Sequence, residues 1–266
     1  MIVKRDMYYE PAKQNRMLHI WLPDDYYERD ERYPVMYMFD GHNLFYDMDA
    51  TYGKSWGFIK FLEGWEKKII LVGMECSHDG DARLTEYCPY VKWMFGKKIE
   101  GIGEMTCQWI IHRVKPFIDR EYRTYSHREA TAIGGSSMGG LMSIYAVIAH
   151  NDVFSKAACV STGVSFSEKK IYEDFDRNEI DPDTKIYFSW GEFEVDRVED
   201  GGDPAFDTRE AKATWKLANN LQGRGADTYV FFQPGGTHSE AAWEKQIPYF
   251  MDFLWLDYRH EYNTIL

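Results

Sequence analysis

Apolar residues recur along the chain in two spacings. Short apolar or alternating runs are typical of strands, and they lie at residues 16–22, 34–39, 69–74, 130–133, 155–160, 185–190 and 228–232. Apolar residues at helical spacing lie at residues 54–62, 104–118, 138–150, 207–221 and from 239 onward. This order of strands and helices predicts an α/β fold with a mostly parallel sheet and helices on both faces. We expect a single domain across residues 1–266.

Local signals refine two of the helices and indicate where a ligand would bind. Pro116 has no amide hydrogen and should kink the helix that contains it. Asp207, with Glu210 three residues further on, should cap the helix that follows. Residues 76–103 and 161–184 form long connections that are rich in polar and aromatic residues. Because ligands of parallel sheets bind beyond the carboxyl ends of the strands, we expect both connections to form the rim of the site.

Charge and apolar content narrow the class of protein. The chain has 266 residues, of which 44% are hydrophobic, and its net charge is −12 at pH 7. A core of useful size can form, whereas a nucleic acid would be repelled. The longest apolar stretch, residues 141–149, is interrupted by Ser143 and is far shorter than the roughly 20 residues that span a bilayer. Neither nucleic acid nor a membrane is therefore an expected partner.

The first residues and the cysteines bear on the cellular compartment. The polar start of the chain, MIVKRD, has no apolar segment typical of a secretory signal. The cysteines form no CxxC motif that would indicate a metal site, and they are Cys76, Cys88, Cys107 and Cys159. Reduced thiols in a cytoplasmic protein are the expected state. No metal and no other cofactor is predicted.

A glycine-rich turn, GGSSMGG at residues 134–140, connects a predicted strand to a predicted helix. Its Gly135, Ser137 and Gly139 match G-x-S-x-G, the nucleophile elbow of α/β-hydrolases. Small neighbours are needed there because the serine lies on a sharp, strained turn. Ser137 is therefore the predicted nucleophile. The amide of Met138, at the start of the helix, is a predicted donor to the oxyanion.

A histidine and a carboxylate follow this elbow in the order expected of a catalytic triad. His238 lies in the loop after the last predicted strand, where the general base is expected. The acid should follow the strand at residues 185–190, and both Glu194 and Asp196 can orient an imidazole. Glu240 is a weaker rival, because the dipole of the helix that it begins would by itself favour a carboxylate there.

The loop after residues 34–39 and the predicted rim supply the remaining candidates. A second oxyanion donor usually comes from the loop after the third strand, which here offers the amide of His42 or that of Asn43. The side chain of Asn43 is also a candidate for substrate contact, and His42 has two alternative roles, as a substrate-contact side chain or simply as a turn residue. Trp93 and Trp190 are further candidates, because a tryptophan ring can stack on a sugar or an aryl group.

Several segments together resemble the putative esterase (esterase D-like) family of α/β-hydrolases, which includes carbohydrate esterase family one and siderophore esterases. The matching segments are YMFDGHNLF at 37–45, RLTEYCP at 83–89, KPFID at 115–119, GGSSMGGL at 134–141 and HSEAAW at 238–243. The resemblance covers nearly the whole chain. It implies an α/β-hydrolase fold, supports Ser137 and His238 as members of the triad, and places the acid of a Gly-x-x-Asp/Glu pattern at Glu194.

These observations predict a cytoplasmic serine carboxylesterase that acts on a small-molecule ester through an acyl-enzyme. The expected substrates are short-chain, acetyl-type or aryl esters. An acylated oligosaccharide is the first choice, because of the resemblance and the aromatic rim. The alternatives are an acyltransferase or thioesterase that uses the same triad, and a catalytically inert binding module of the same fold. Whether the protein forms a homo-oligomer is left open.

Overall fold

Two compact units, Met1–Ile133 and Gly134–Leu266, make up the chain in the computed structural model. The structure describes residues 1–94, 96–195, 198 and 202–260. The expectation of one domain across residues 1–266 stays a prediction.

The first unit contains four strands of a sheet and a separate hairpin. The strands are β1 (Ile2–Tyr9), β2 (Gln14–Trp21), β3 (Val35–Phe39) and β4 (Ile70–Met74), and the hairpin consists of β5 (Val91–Met94) and β6 (Lys97–Glu100). The order is β1-β2-β4-β3, with antiparallel β1–β2 and β2–β4 pairs and a parallel β3–β4 pair. All residues of β3 and β4 are buried, which explains their continuous apolar sequences.

The helices of the first unit include one long irregular helix. They are α1 (Phe58–Gly64), α2 (Ala82–Glu86), α3 (Gly103–Trp109) and α4 (Lys115–Glu121). A π-helical segment, Ile110–Val114, joins α3 to α4. The helix predicted at residues 104–118 is thus confirmed, and its irregularity lies just before Pro116. Pro116 falls in the first turn of α4, and a π segment is one of the known ways in which a helix accommodates an interruption.

The second unit alternates strands with helices. Its strands are β7 (Thr131–Ser136), which begins in the first unit, β8 (Lys156–Val160), β9 (Lys185–Gly191) and β10 (Asp227–Gln233). They follow the order β7-β8-β9-β10, and the β8–β9 and β9–β10 pairs are parallel. The helices are α5 (Met138–Ala149), α6 (Glu168–Arg177), α7 (Arg209–Gly223), α8 (Glu240–Glu244) and α9 (Ile247–Leu256). The predicted α/β architecture with mostly parallel strands is confirmed.

The cap of α7 differs from the prediction. Thr208, and not Asp207, caps this helix, because the Thr208 side chain accepts a hydrogen bond of 3.0 Å from the Ala211 amide. The Glu210 carboxylate is buried and accepts hydrogen bonds of 2.6 and 3.0 Å from two backbone amides in the loop after β8. Glu210 therefore holds that loop in place.

Several elements were not predicted, and their sequences explain why. β1 is the first strand of the sheet order, and charged, exposed residues fill its centre, as is common for edge strands. In α6 only Ile171 and Phe175 are buried, so the apolar stripe is a single turn long. Across the part of the chain that the structure describes, every helix is too short or too polar to cross a membrane.

All four cysteines are free and buried. Burial raises the pKa of each of these thiols above its ordinary value. The thiols therefore stay protonated at neutral pH.

Candidate active site

Ser137 lies at the junction of β7 and α5 with φ 56° and ψ −120°. A positive φ is uncommon for a residue with a Cβ and costs on the order of 1–3 kcal/mol. The Ser137 amide donates a hydrogen bond of 2.9 Å to the carbonyl of Val160, at the end of β8. The neighbouring Ser136 is buried, with 4% of its surface exposed, whereas Ser137 is partly exposed. Ser137 is thus the serine that combines the strained turn with access to solvent.

Gly140 allows the start of α5 to lie close to the end of β8. A Cβ on Gly140 would lie 2.3 Å from Thr162 Oγ1 and 3.0 Å from the Val160 carbonyl oxygen. The amide of Met138 belongs to the first residue of α5, where the helix dipole favours a negative charge. The role of Met138 as an oxyanion donor stays a prediction.

Glu194 and His238 are hydrogen-bonded, with 3.2 Å between Glu194 Oε2 and His238 Nδ1. Glu194 ends a 3-10 turn directly after β9, and His238 lies in the loop after β10. The Glu194 side chain is 6% exposed and that of His238 is 48% exposed. A hydrogen bond to a carboxylate places the ring hydrogen on Nδ1, so Nε2 is left as a proton acceptor. This is the arrangement expected of a triad acid and its base.

The loops that carry these two residues are held together by their backbones. The Phe193 amide donates to the Gly236 carbonyl at 2.9 Å, and the Gly235 amide donates to Glu192 Oε2 at 2.8 Å. Because β9 and β10 are parallel, their carboxyl ends lie at the same edge, and both loops begin there.

Two further residues contact the acid or the base and were not predicted. Ser161 Oγ donates to Glu194 Oε1 at 2.8 Å. The ring of Trp243 packs edge-on against the His238 ring, with 5.1 Å between centroids. Trp243 belongs to the HSEAAW segment that supports the family resemblance, which is a signal for its presence near His238 but not for its contacts.

The sequence offers two rivals of Glu194 as the triad acid, Asp196 and Glu240. Asp196 lies outside the described residues. Glu240 is buried and begins α8, as predicted from its position in the sequence. The contact with His238 favours Glu194, and its catalytic role stays a prediction.

The loop after β3 is shaped by a close approach to β4. Asp40 adopts φ 57°, whereas a Cβ on Gly41 would lie 2.5 Å from the Gly73 carbonyl carbon. Arg83 Nε and Nη2 each lie 2.7 Å from one oxygen of Asp40. Burial alone would raise the pKa of Asp40, but the charge and hydrogen bonds of Arg83 outweigh it and hold that pKa below its usual value.

The side chains of His42 and Asn43 are buried within the same loop. His42 Nε2 lies 2.9 Å from Thr51 Oγ1, and Asn43 Oδ1 accepts a hydrogen bond of 2.9 Å from the Thr51 amide. Among the described residues His42 Nδ1 meets no hydrogen-bond partner, and burial lowers the pKa of this histidine, so the ring stays neutral. The predicted roles of the His42 amide and of Asn43 in binding stay predictions.

Potential metal ligands of Asp40, His42 and Cys76 lie within 4.8 Å of one another. Both Asp40 oxygens already bind Arg83, and Cys76 Sγ lies 3.4 Å from one of them. Burial raises the pKa of the Cys76 thiol, which disfavours the thiolate that a metal would need. The partly buried ion pair between Asp40 and Arg83 accounts for this cluster, and we assign no metal to it.

The two predicted rim tryptophans differ in exposure. Trp93 on β5 is 73% exposed. Trp190 on β9 is 1% exposed, and its indole nitrogen donates to the Pro204 carbonyl at 3.3 Å. The structure thus places Trp93, and not Trp190, at the surface.

The alternating strands and helices and the turn at Ser137 are those of an α/β-hydrolase. The structure of an IroE-like serine hydrolase from Shewanella oneidensis has the same fold, with a TM-score of 0.73 and 19% sequence identity. That similarity covers 95% of this chain and 81% of the other. The model of the esterase family, described as putative esterase, matches residues 10–252. The chain therefore belongs to this esterase family, which confirms the resemblance found in its sequence.

Two relatives match parts of the chain. The uncharacterized protein YbbA of Bacillus subtilis (strain 168) is 23% identical over 150 residues, which cover 55% of this chain and 56% of YbbA. Esterase Rv1288 of Mycobacterium tuberculosis is 28% identical over 127 residues, which cover 47% of this chain and 24% of Rv1288. The chain thus matches about half of the length of YbbA and about a quarter of that of Rv1288.

Proposed function

We propose that this protein is a serine carboxylesterase whose catalytic triad consists of Ser137, His238 and Glu194. Membership of the esterase family supports the hydrolysis of esters. The observation that most supports the triad is the hydrogen bond between Glu194 and His238, because it joins the proposed acid to the proposed base. The strained turn at Ser137 belongs to the same compact unit.

In the proposed mechanism, Ser137 Oγ attacks the ester carbonyl while His238 Nε2 accepts its proton. Glu194 holds the imidazole in the tautomer with hydrogen on Nδ1 and stabilises the imidazolium. The amide of Met138, with that of His42 as the second donor, binds the oxyanion. His238 then protonates the leaving alcohol. A water molecule attacks the acyl-enzyme with His238 again as base, which releases the acid and regenerates Ser137.

The proposed substrates are short-chain acyl or aryl esters, with an acylated oligosaccharide as first choice. The exposed ring of Trp93 supports this choice, because a flat apolar surface suits a sugar or an aryl face. The buried Trp190 does not add to it. The net charge of −12 argues against a nucleic-acid partner, and the four free thiols support a reducing compartment such as the cytoplasm.

A panel of esters, combined with active-site labelling, tests this proposal. The panel consists of p-nitrophenyl acetate, butyrate and octanoate, methyl ferulate and acetylated xylo-oligosaccharides, and the label is a fluorophosphonate. We expect turnover of the shorter esters and labelling that Ser137→Ala abolishes. A folded protein that hydrolyses none of them and takes no label would favour the inert binding module. Added alcohol that diverts the acyl group to a new ester would favour an acyltransferase.

A further inference from the structure

We infer that Trp243 and Ser161 form a hydrogen-bonded relay that positions the Glu194 carboxylate. This inference rests on the proposed function, in which Glu194 orients His238. Trp243 Nε1 lies 2.9 Å from Ser161 Oγ, which in turn lies 2.8 Å from Glu194 Oε1. The other oxygen of Glu194 binds His238 Nδ1. Each carboxylate oxygen thus has its own partner, so the plane of the carboxylate is fixed from both sides.

The direction of every hydrogen bond in this relay follows from the chemistry of its groups. An indole N–H can only donate, and an ionised carboxylate can only accept. The Ser161 hydroxyl must therefore accept from Trp243 and donate its own hydrogen to Glu194. Hydrogen bonds in such a chain polarise one another, and the bond to a charged carboxylate is the stronger type. The relay thus delivers a well-oriented donor to the acid.

The backbone at Ser161 indicates that its side chain is needed. Ser161 is 3% exposed and has φ 47°, in the left-handed region that favours glycine. Its amide lies 3.2 Å from Ser189 Oγ, which holds the strained turn after β8. Glycine would adopt this conformation with less strain. The presence of serine therefore indicates that the hydroxyl group against Glu194 has a role.

Trp243 contacts both members of the acid–base pair, one directly and one through Ser161. Its ring lies edge-on to the His238 ring, at an interplanar angle of 85°. The indole is buried, and Trp243 is the next-to-last residue of α8. One rigid side chain therefore limits the tilt of the imidazole and, through Ser161, the rotation of the carboxylate. Ser161 and Trp243 are positioning residues, since neither is the acid, the base or the nucleophile.

Kinetics of three variants test the relay. Ser161→Ala and Ser161→Gly remove the hydroxyl, and the glycine also relieves the backbone strain at this positive φ. Trp243→Phe keeps an aromatic ring but removes the indole N–H donor. We expect each variant to lower kcat by about 10- to 100-fold and to leave KM within about twofold. The substitutions disturb the orientation of Glu194 and His238 but do not affect substrate binding. In a Glu194→Gln background the Ser161→Ala loss should shrink to less than about twofold, since the carboxylate it positions is gone.

Matched controls separate this effect from a general loss of packing. Ser143→Ala removes another buried hydroxyl, which donates to the Gly139 carbonyl at 2.8 Å. Trp109→Phe removes another indole donor, equally buried and 2.9 Å from its acceptor. Both should stay within about twofold of the parent in kcat. Turnover of Ser161→Gly equal to that of the parent, or a full Ser161→Ala loss in the Glu194→Gln background, would overturn the relay.

A measurement without turnover keeps the relay testable if the proposed esterase activity fails. The proton on His238 Nδ1, observed by NMR with ¹⁵N-labelled histidine and assigned by its loss in His238→Gln, reports the bond to Glu194. We expect a shift or broadening of this signal in Ser161→Gly and in Trp243→Phe, but not in Ser143→Ala. An unchanged signal in both relay variants contradicts the relay, whereas an inactive parent with the expected shifts contradicts only the esterase proposal.

Discussion

Gly191 and Gly236 approach each other so closely that neither position has room for a side chain. A Cβ on Gly191 would lie 2.6 Å from the Gly236 carbonyl carbon, and one on Gly236 would lie 2.8 Å from Gly191 Cα. Both distances are well below an ordinary carbon–carbon contact of about 3.5–4.0 Å. Gly191 is the last residue of β9, and Gly236 lies in the loop after β10. Their contact therefore brings the loop of Glu194 against the loop of His238.

Gly191→Ala should therefore lower activity by separating these loops. The added Cβ would also lie 2.8 Å from Glu194 Oε1. We expect kcat to fall by at least about tenfold, because small misplacements of catalytic groups are costly. We also expect a loss of about 1–3 kcal/mol in the free energy of unfolding, as for other overpacked sites. Steady-state kinetics with p-nitrophenyl acetate and urea unfolding measure the two effects.

The control for this substitution is Gly223→Ala, at the last residue of α7. Within the described part of the chain, a Cβ there would have open space around it. Its activity should stay within about twofold of the parent and its stability should not fall, since alanine favours a helix over glycine. A Gly191→Ala variant as active as this control would mean that the loops tolerate separation.

Ser137→Ala tests the nucleophile. We expect kcat to fall by at least about 10³-fold with the fold intact by circular dichroism, and His238→Ala should be similar because triad residues act as a unit. The double variant should be little worse than either single one. Ser136→Ala is the neighbouring control and should keep most of the activity. Near-normal turnover by a folded Ser137→Ala protein would refute the mechanism.

Glu194→Gln tests the acid. Loss of the triad acid leaves the imidazole poorly oriented and can lower kcat by about 10⁴-fold. Glu240→Gln should change kcat by less than about tenfold, because Glu240 begins α8, where the helix dipole stabilises a carboxylate, and it has no part in the proposed triad. Asp196→Asn should be equally mild. A large loss of activity in Asp196→Asn, with nearly normal activity in Glu194→Gln, would show that Asp196 and not Glu194 is the triad acid.

Asp40→Asn should destabilise the fold and change its response to acid. The pKa of Asp40 in the folded chain lies below its ordinary value, because Arg83 outweighs the effect of burial. The stability from this pair is therefore fully present above the ordinary carboxyl pKa of about 3.9, and it is lost as pH falls through the lower folded value. Removing the charge leaves the partly buried Arg83 without its ionic partner and should cost about 1–3 kcal/mol near neutral pH.

Urea unfolding at pH 7, 5, 4 and 3 measures this effect. The parent should lose stability below pH 4 more steeply than Asp40→Asn does, so the difference between the two proteins should narrow. Asp49→Asn, which removes a more exposed partner of Lys4, should cost less than about 1 kcal/mol. A constant difference from pH 7 to pH 3 would show that Asp40 does not titrate as inferred.

The features that could be predicted from the sequence are those set by neighbouring residues. β4 is a continuous apolar run because it is buried throughout, and the turn at Ser137 needs glycines within the same short segment. The histidine loop could be placed because it follows the last strand. Such signals lie close in sequence to the feature that they specify, so they can be recognised without knowledge of the fold.

The rest depends on contacts between distant parts of the chain. Ser161 meets Glu194 across 33 residues and Trp243 across 82, and no spacing in the sequence indicates either contact. Trp190 is predicted at the rim because it ends the strand expected at residues 185–190, but β9 is buried on both faces from residue 186 to 191, so the Trp190 ring lies in the core. The cap of α7 was misplaced by one residue because Asp207 and Thr208 have similar capping chemistry.

The burial of all four thiols has a practical consequence for work with this protein. Thiol reagents attack the thiolate, which burial disfavours at every native cysteine. Maleimides and similar reagents should therefore find few reactive groups on the folded chain. A single new cysteine at Met48, which is 90% exposed, would accept a fluorophore or a spin label selectively. The native chain can thus serve as its own background for spectroscopy, without first replacing its cysteines.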